Sequence, residues 1–280
     1  MSDRRVAPTD TEPPVPTVGG AYSFDAREFP WWLAAMLLII GAMVVAIVFN
    51  EAYREAFRNI FPIPLRLTEG ILMTFYLTFG SFVVAIVIGL LLGLGRVSKN
   101  AVLSNVAGLY IEFVRGVPML VWLFLIALVL VPDFADLVEM ESRSISQALR
   151  AGAALSLFYA AFIAEVFRAG IQSVPREQAE AGRALGLRDR QVMRRIVLPQ
   201  AVRNMLPALG NDLISLMKDT SLVSVLAVRE VTQMARLYSG STFRFRESFF
   251  ILVIIYVVLT LGLSLILRWY ERRIAIPGRL

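Results

Sequence analysis

Several chemically active groups fall inside one otherwise apolar stretch, Met205 to Val228. They are the carboxylates of Asp212 and Asp219, the ammonium of Lys218, the amide of Asn211, and the hydroxyls of Ser215, Thr220, Ser221 and Ser224. An ionised side chain at the centre of a membrane helix costs about 2.5–3.5 kcal/mol on insertion scales, so such groups are functional suspects by default. On a helix Asn211, Ser215 and Lys218 line up, and so do Asp212, Ser215 and Asp219. The spacing predicts one wide polar stripe facing a water-filled path. Pro207 and Gly210 predict an opened backbone at one end of it. The alternative is that Lys218 and Asp219 pair with neighbouring helices and only fix packing. The chemistry on offer is the binding of a small polar solute. The chain has no His and no Cys, which removes imidazole bases, thiol nucleophiles and the usual zinc, copper and haem ligands. No nucleophile–base set is legible and no metal site is expected, so no catalytic residue is assigned.

The elements that position this stripe follow from composition. The chain has 280 residues, 57% of them hydrophobic, with a mean hydropathy of +0.66. That is too apolar for an ordinary soluble domain and too broken by charge for a single anchor, so a multi-pass, all-α membrane protein is predicted. Six apolar runs stand out: Trp31–Phe49, Leu67–Leu94, Val117–Val131, Ala148–Phe167, Met205–Val228 and Phe249–Leu267. A spanning helix needs about 20 residues, and the third run is short unless it borrows from Leu109–Val114. The Trp31-Trp32 pair suits an interfacial aromatic belt. Residues 1–30 are polar and Pro-rich and read as a disordered tail, not a signal peptide. Gly89 and Gly93 form a G-x-x-x-G, read as close packing within the chain or at a subunit interface.

Net charge is +6, but the basic residues sit at the ends of apolar runs. They do not form one soluble face, so nucleic acid is not the expected partner. Arg and Lys after runs two, four and six place those segments inside, and Asp133, Asp136, Glu139 and Glu141 place the segment after run three outside. Both termini are then cytoplasmic. Arg229, Arg236, Arg244 and Arg246 argue mildly the other way and are outweighed by the basic segment after run four.

That segment is EAGRALGLRDRQVMRRIVLP, Glu180 to Pro199. Pro175 suits the first position of a short helix and Gly186 its stop. Asp189 can cap a second helix, which Pro199 ends. Ala179, Gly182 and Gly186 lie close together, which predicts a bare backbone groove that another protein could approach. On spacing alone, a solvated basic loop that merely holds topology is an equal reading.

The loop resembles the cytoplasmic signature of the membrane subunits of ABC importers: Glu-Ala-Ala, three residues, Gly, nine residues, Ile, one residue, Leu-Pro. Here Glu180, Ala181 and Gly182 are followed by Gly186, Ile196, Leu198 and Pro199 at every expected spacing. Gly182 stands where the pattern has Ala, at a helix-propensity cost of about 1 kcal/mol. The flanks EFVRGVP (Glu112–Pro118), EVFRAGI (Glu165–Ile171), LPQA (Leu198–Ala201) and GNDLISLMKDTSLVS (Gly210–Ser224) resemble the polar amino-acid permease subfamily of the histidine- and glutamine-permease type. The resemblance covers about Leu67 to the C-terminus.

It implies a five-helix type I importer core over 67–280, with residues 31–66 as an additional transmembrane helix and outer loop. It implies that the loop 172–200 docks as a coupling element on a separate ATPase, through Pro175, Glu180, Ala181, Gly182, Gly186, Ile196, Leu198 and Pro199. The chain has no G-x-x-x-x-G-K-[ST] phosphate loop and is not itself the ATPase; ATP and Mg belong to the partner. The implied assembly in the bacterial inner membrane holds a second permease subunit (homologous or identical), two ATP-binding subunits and an external substrate-binding protein. The outer segments Asp133–Ser146 and Glu230–Glu247 are candidates for contact with that protein. The implied solute is a polar amino acid. Asp219 would receive its ammonium, and Lys218 or freed backbone N–H groups its carboxylate. Asp219 and Thr220 would lie near it, with Glu69 and Thr74 across the path and Asp212, Ser215, Ser221 and Ser224 along it. An ion-coupled secondary transporter or channel would use the same stripe but would not need the docking loop.

Overall fold

The computed structural model describes residues 31–60 and 67–274. The reading of residues 1–30 as a disordered tail lies outside the described residues. The chain divides into two units, Met1–Val44 and Val45–Leu280. The described part of the first is helical, residues 31–44 of α1 (Trp31–Phe49).

In the second unit every described regular element is helical. After α2 (Glu51–Ile60) come α3 (Leu67–Arg96), α4 (Ala101–Gly116), α5 (Met119–Phe124), α6 (Val131–Leu137) and α7 (Gln147–Gln172). Then follow α8 (Arg176–Ala184), α9 (Asp189–Val192), α10 (Leu198–Asp219), α11 (Val231–Thr242) and α12 (Phe245–Ile274). Among the described residues, Glu69–Arg96, Met119–Leu137, Gln147–Gln172 and Phe245–Glu271 are long and apolar enough to cross a bilayer, and α1 counted with α2 makes a fifth. The third run does not borrow from Leu109–Val114. Those residues belong to α4, and α5 instead continues through a π-helical segment, Leu125–Leu130, into α6. Pro118 separates α4 from α5, because it lacks the N–H that a continuous helix needs there. Residues 51–60, read as part of an outer loop, form α2, which packs on α11 and α12. Ala56 is buried there and Tyr53 meets Phe250 edge-on at 5.3 Å.

The core centres on α7, where Ala151, Ala154, Ala160, Ala161 and Ala164 are all fully buried. Methyl side chains let neighbouring backbones come close, which is how helices associate where lipid removes the hydrophobic drive. Gly89 and Gly93 of α3 complete this contact. A Cβ on Gly89 would lie 2.7 Å from Ile163 Cγ2, and one on Gly93 would lie 2.9 Å from the Ala164 carbonyl oxygen. The G-x-x-x-G is therefore an intrachain packing device. Buried polar groups are paired across the same core. Trp122 donates to the Ala154 carbonyl at 3.1 Å, and Tyr110 to the Leu157 carbonyl at 2.8 Å. Arg150, 8% exposed, donates to Ala127 O in the π-helical segment at 3.2 Å and to Ile145 O at 3.1 Å. It also donates to Ser142 Oγ at 2.8 Å. One side chain thus satisfies carbonyls that an irregular helix and a turn leave over.

Candidate functional site

α10 runs unbroken from Leu198 to Asp219, so Pro207 and Gly210 do not open the backbone as expected. Gly210 is buried, and a Cβ there would sit 3.3 Å from Leu267 of α12. Its smallness serves contact. The departures from α geometry lie at the two ends of α10 instead, in a π-helical Met193–Val197 and a 3₁₀ Thr220–Leu226.

The polar stripe is not one surface. Adjacent residues on a helix point about 100° apart, and the structure uses that angle to serve two sides of α10. Asp212 lines a cavity of about 380 Å³ between α7 and α10, with Arg115, Phe162, Glu165, Ser173 and Asn204. Asp212 Oδ2 is buried there without a hydrogen-bond partner. Asp219, about two helical turns on, accepts a hydrogen bond from Tyr159 Oη of α7 at 2.7 Å. Asn211 and Lys218 point to the other side. They line a separate cavity of about 410 Å³ with Ser264, Arg268 and Glu271 of α12. Ser215 and Ser221 are half-buried.

The remaining expected path residues are enclosed or peripheral. Thr220, Ser224 and Thr74 are buried. Thr220 donates to Met217 O at 2.7 Å, and Thr74 donates to Gly70 O at 3.0 Å while its oxygen accepts the Val231 N–H at 3.4 Å. Glu69 is exposed on the first turn of α3. The sequence reading missed four groups. Tyr159 meets Asp219 from sixty positions away in the chain. Glu165 is paired with Arg168 toward the C-terminal end of α7. Arg115 lies 5.6 Å over the Phe162 ring. Glu230 is fully buried and caps α11 by accepting the N–H groups of Thr232 and Gln233, each at 2.8 Å. Burial pushes the Glu230 carboxyl up to about 7. Arg115 carried a signal, since it precedes the Gly116–Pro118 break. Tyr159 in an Ala- and Phe-rich run carried none.

The basic loop forms a helix–turn–helix. Pro175 sits in the cap position, with α8 starting at Arg176. The hydrogen-bond ladder of α8 ends with the Leu187 N–H donating to the Gly182 carbonyl at 3.1 Å, and Gly186 takes φ +80° at the turn. Asp189 does not cap α9. It is the first residue of that helix and bonds across the turn to Arg183 at 2.8 Å, which holds its carboxyl below the usual range. Gln191 instead accepts the Arg188 N–H at 2.9 Å. The expected bare groove is filled from within the loop. A Cβ on Gly182 would lie 2.5 Å from Ile196 Cδ1 and 3.2 Å from Val192 Cγ2. Glycine lets α8 close on the second helix, so Gly182 faces its own chain and not a partner. What the loop presents outward is Glu180, Ala181, Leu198 and Pro199, the tip residue Leu185 at 82% exposure, and a concavity of about 580 Å³ lined by Arg188, Arg190, Arg194 and Arg195.

A helical membrane bundle with a protruding helix–turn–helix is the architecture of an importer's membrane subunit, and the comparisons agree. The family of binding-protein-dependent transport system inner membrane components matches residues 85–276. The probable amino-acid permease protein YxeN of Bacillus subtilis is 38% identical over 213 residues, covering 76% of this chain and 93% of that protein. The glutamine transport system permease protein GlnP of Escherichia coli is 37% identical over 214 residues, covering 76% and 94%. A crystal structure of an amino acid ABC transporter with histidines superposes with a TM-score of 0.66 at 37% identity, covering 73% of this chain and 92% of that one. The MetNI methionine ABC transporter shares the fold, at a TM-score of 0.63 and 22% identity. The chain belongs to the family of inner-membrane components of binding-protein-dependent transport systems. It is a multi-pass ABC importer permease and not an enzyme, and it works with an ATPase and a substrate-binding protein. The secondary-transporter and channel readings are set aside.

Proposed function

We propose that this permease imports polar amino acids across the bacterial inner membrane, with both termini cytoplasmic. It acts beside a second permease subunit, two ATP-binding subunits and an external binding protein. The observation that carries the solute class is the extent of likeness to amino-acid permeases, 37–38% identity over more than nine-tenths of each relative. Asp212 and Asp219 offer carboxylates to an ammonium group on the α7 side of α10. Glu69, Thr74, Ser215, Thr220, Ser221 and Ser224 border or support the path, and Lys218 flanks it from the α12 side of α10. The loop 172–200 receives the stroke of the ATPase through Pro175, Glu180, Ala181, Gly186, Leu198 and Pro199, while Gly182 and Ile196 hold its two helices against each other. Leu185 and the arginine-lined concavity support that reading, because a partner surface would desolvate them together.

Reconstitution in proteoliposomes with the ATPase and binding protein tests the proposal. Uptake of labelled amino acids should require ATP, and uptake that persists without it overturns the mechanism. Asp219→Asn should depress uptake at normal membrane levels; unchanged uptake removes Asp219 from the path. Gly186→Trp should leave insertion intact and uncouple hydrolysis from uptake. Unaltered coupling removes the role of the loop.

A further inference from the structure

A zwitterion needs a receptor for its anion as well as for its ammonium. Lys218 is the cation expected from the sequence, but the structure turns it away from the cavity of Asp212, into the one shared with Asn211 and Glu271. The cavity that Asp212 lines contains one cation among its described lining residues, Arg115. The Phe162 ring, 5.6 Å below the guanidinium carbon, orients that group without neutralising it. No carboxylate among the described residues lies within 4.0 Å of Arg115. Glu165, the other acid of the cavity, is engaged by Arg168, whose Nε lies 2.9 Å from it. Asp212 Oδ2 is buried with no partner. The cavity therefore has an oriented cation on the α4 side, an unsatisfied carboxylate oxygen on α10, and a volume of about 380 Å³ between its walls, within the range of small-molecule sites.

We propose that Arg115 receives the α-carboxylate of the solute in this cavity, with Asp212 as the opposite pole. This rests on the amino-acid reading above and deepens it. A guanidinium offers two parallel N–H donors to a carboxylate, a geometry that an ammonium cannot reproduce. Arg115 also lies in the last turn of α4, directly before the Gly116–Pro118 break. The residue that reads the carboxylate is thus carried on a junction between two helices. Discrimination follows: the cavity accepts a free amino acid and disfavours the same molecule with its carboxyl masked.

The test is equilibrium binding to the permease–ATPase complex in detergent, without the external binding protein, so that only the membrane site is read. The probes are labelled L-glutamine and L-arginine and their carboxamides. Arg115→Gln should weaken binding of the free amino acids about tenfold or more and leave the carboxamides unchanged. Arg115→Lys should keep part of the preference for the free acid. Equal weakening of acid and amide, or no change in either, overturns the assignment. Where Arg115→Gln does not assemble, Arg115→Lys decides: a wild-type acid-to-amide ratio overturns the assignment, and a reduced one supports it. A wild-type complex that neither binds nor transports any free amino acid overturns the amino-acid reading and this assignment with it. Binding that is indifferent to Arg115 overturns this assignment alone.

Discussion

Gly182 and Gly186 lie one helical turn apart in the loop 172–200 and are glycine for different reasons. Gly186 has φ +80° and open space where a Cβ would go, so its constraint is conformational. Gly186→Ala should destabilise the turn by about 1–2 kcal/mol, the left-handed penalty for an L-residue. Gly186→Asn should lose less, because Asn tolerates that region. Hydrogen exchange over residues 183–190 measures both. Gly182 is helical and buried against Ile196 and Val192, so its constraint is contact. From sequence alone it reads as a departure from the family pattern and as part of a groove left bare for a partner. Its use became visible with the second helix in place. Tyr159 is a further case that the sequence could not disclose, since Asp219 is its partner only through the packing of α7 on α10. Tyr159→Phe keeps the ring contacts to Phe158 and Phe162 at 5.9 and 6.1 Å and removes the donor to Asp219. The expected result is a rise in the uptake KM of about tenfold, from the loss of a charged hydrogen bond, with unchanged yield of the assembled complex. An unchanged KM would detach Tyr159 from the path.

The second, third, fourth and sixth apolar runs were legible as spanning helices because span length and hydropathy are one-dimensional properties, whereas the fifth falls in α10 and the 3₁₀ segment after it. The irregular segments were not. A π-helical turn inserts a residue without changing composition, and neither Leu125–Leu130 nor Met193–Val197 carries a Pro or Gly to mark it. What marks the first in the structure is Arg150, whose guanidinium reaches back to the Ala127 carbonyl. Arg150→Leu strands that carbonyl and the Ser142–Ile145 turn together. It should cost about 2 kcal/mol or more and lower the melting temperature of the detergent-solubilised complex, with Arg150→Lys intermediate. The start of α11 has its own signature. The Glu230 carboxyl titrates near 7 in the folded chain against an ordinary value of 4.5, because burial opposes its charge more than its hydrogen bonds favour it. Between those values the folded state holds more protons than the unfolded one, so its stabilising effect is complete below about 4.5 and fades as pH rises through about 7. Thermal melting across this window should show stability falling toward higher pH, and Glu230→Gln should flatten that dependence. A profile that Glu230→Gln does not alter would remove Glu230 as its source.

At the scale of the whole molecule, the importer class was legible from one loop, since its kept spacings survive any uncertainty about packing. The arrangement of the solute path was not, because which side of α10 each charge faces depends on where α7 and α12 lie. The amino-terminal limit was also partly hidden. The family match begins at residue 85, whereas the second compact unit already begins at Val45, and α2 packs on α11 and α12. Removal of residues 1–44 should leave a complex that co-purifies with its ATPase and takes up solute. Removal of residues 1–66 deletes α2 and should lower yield and melting temperature. Equal tolerance of both cuts would show that α2 contributes no stability. The loop 172–200 also joins α7 directly to α10, the two helices that wall the cavity of Asp212. They touch closely beside that loop, where a Cβ on Gly170 would lie 2.2 Å from Met205 Cγ. Gly170 and Met205 both line that cavity, so this contact is a fulcrum set in its wall on the loop side. On the proposed coupling role, the loop would be the short arm of a lever, and a small displacement at its tip would swing the far ends of both walls, converting a push from outside the membrane into a change of bore at the level of the carboxylates.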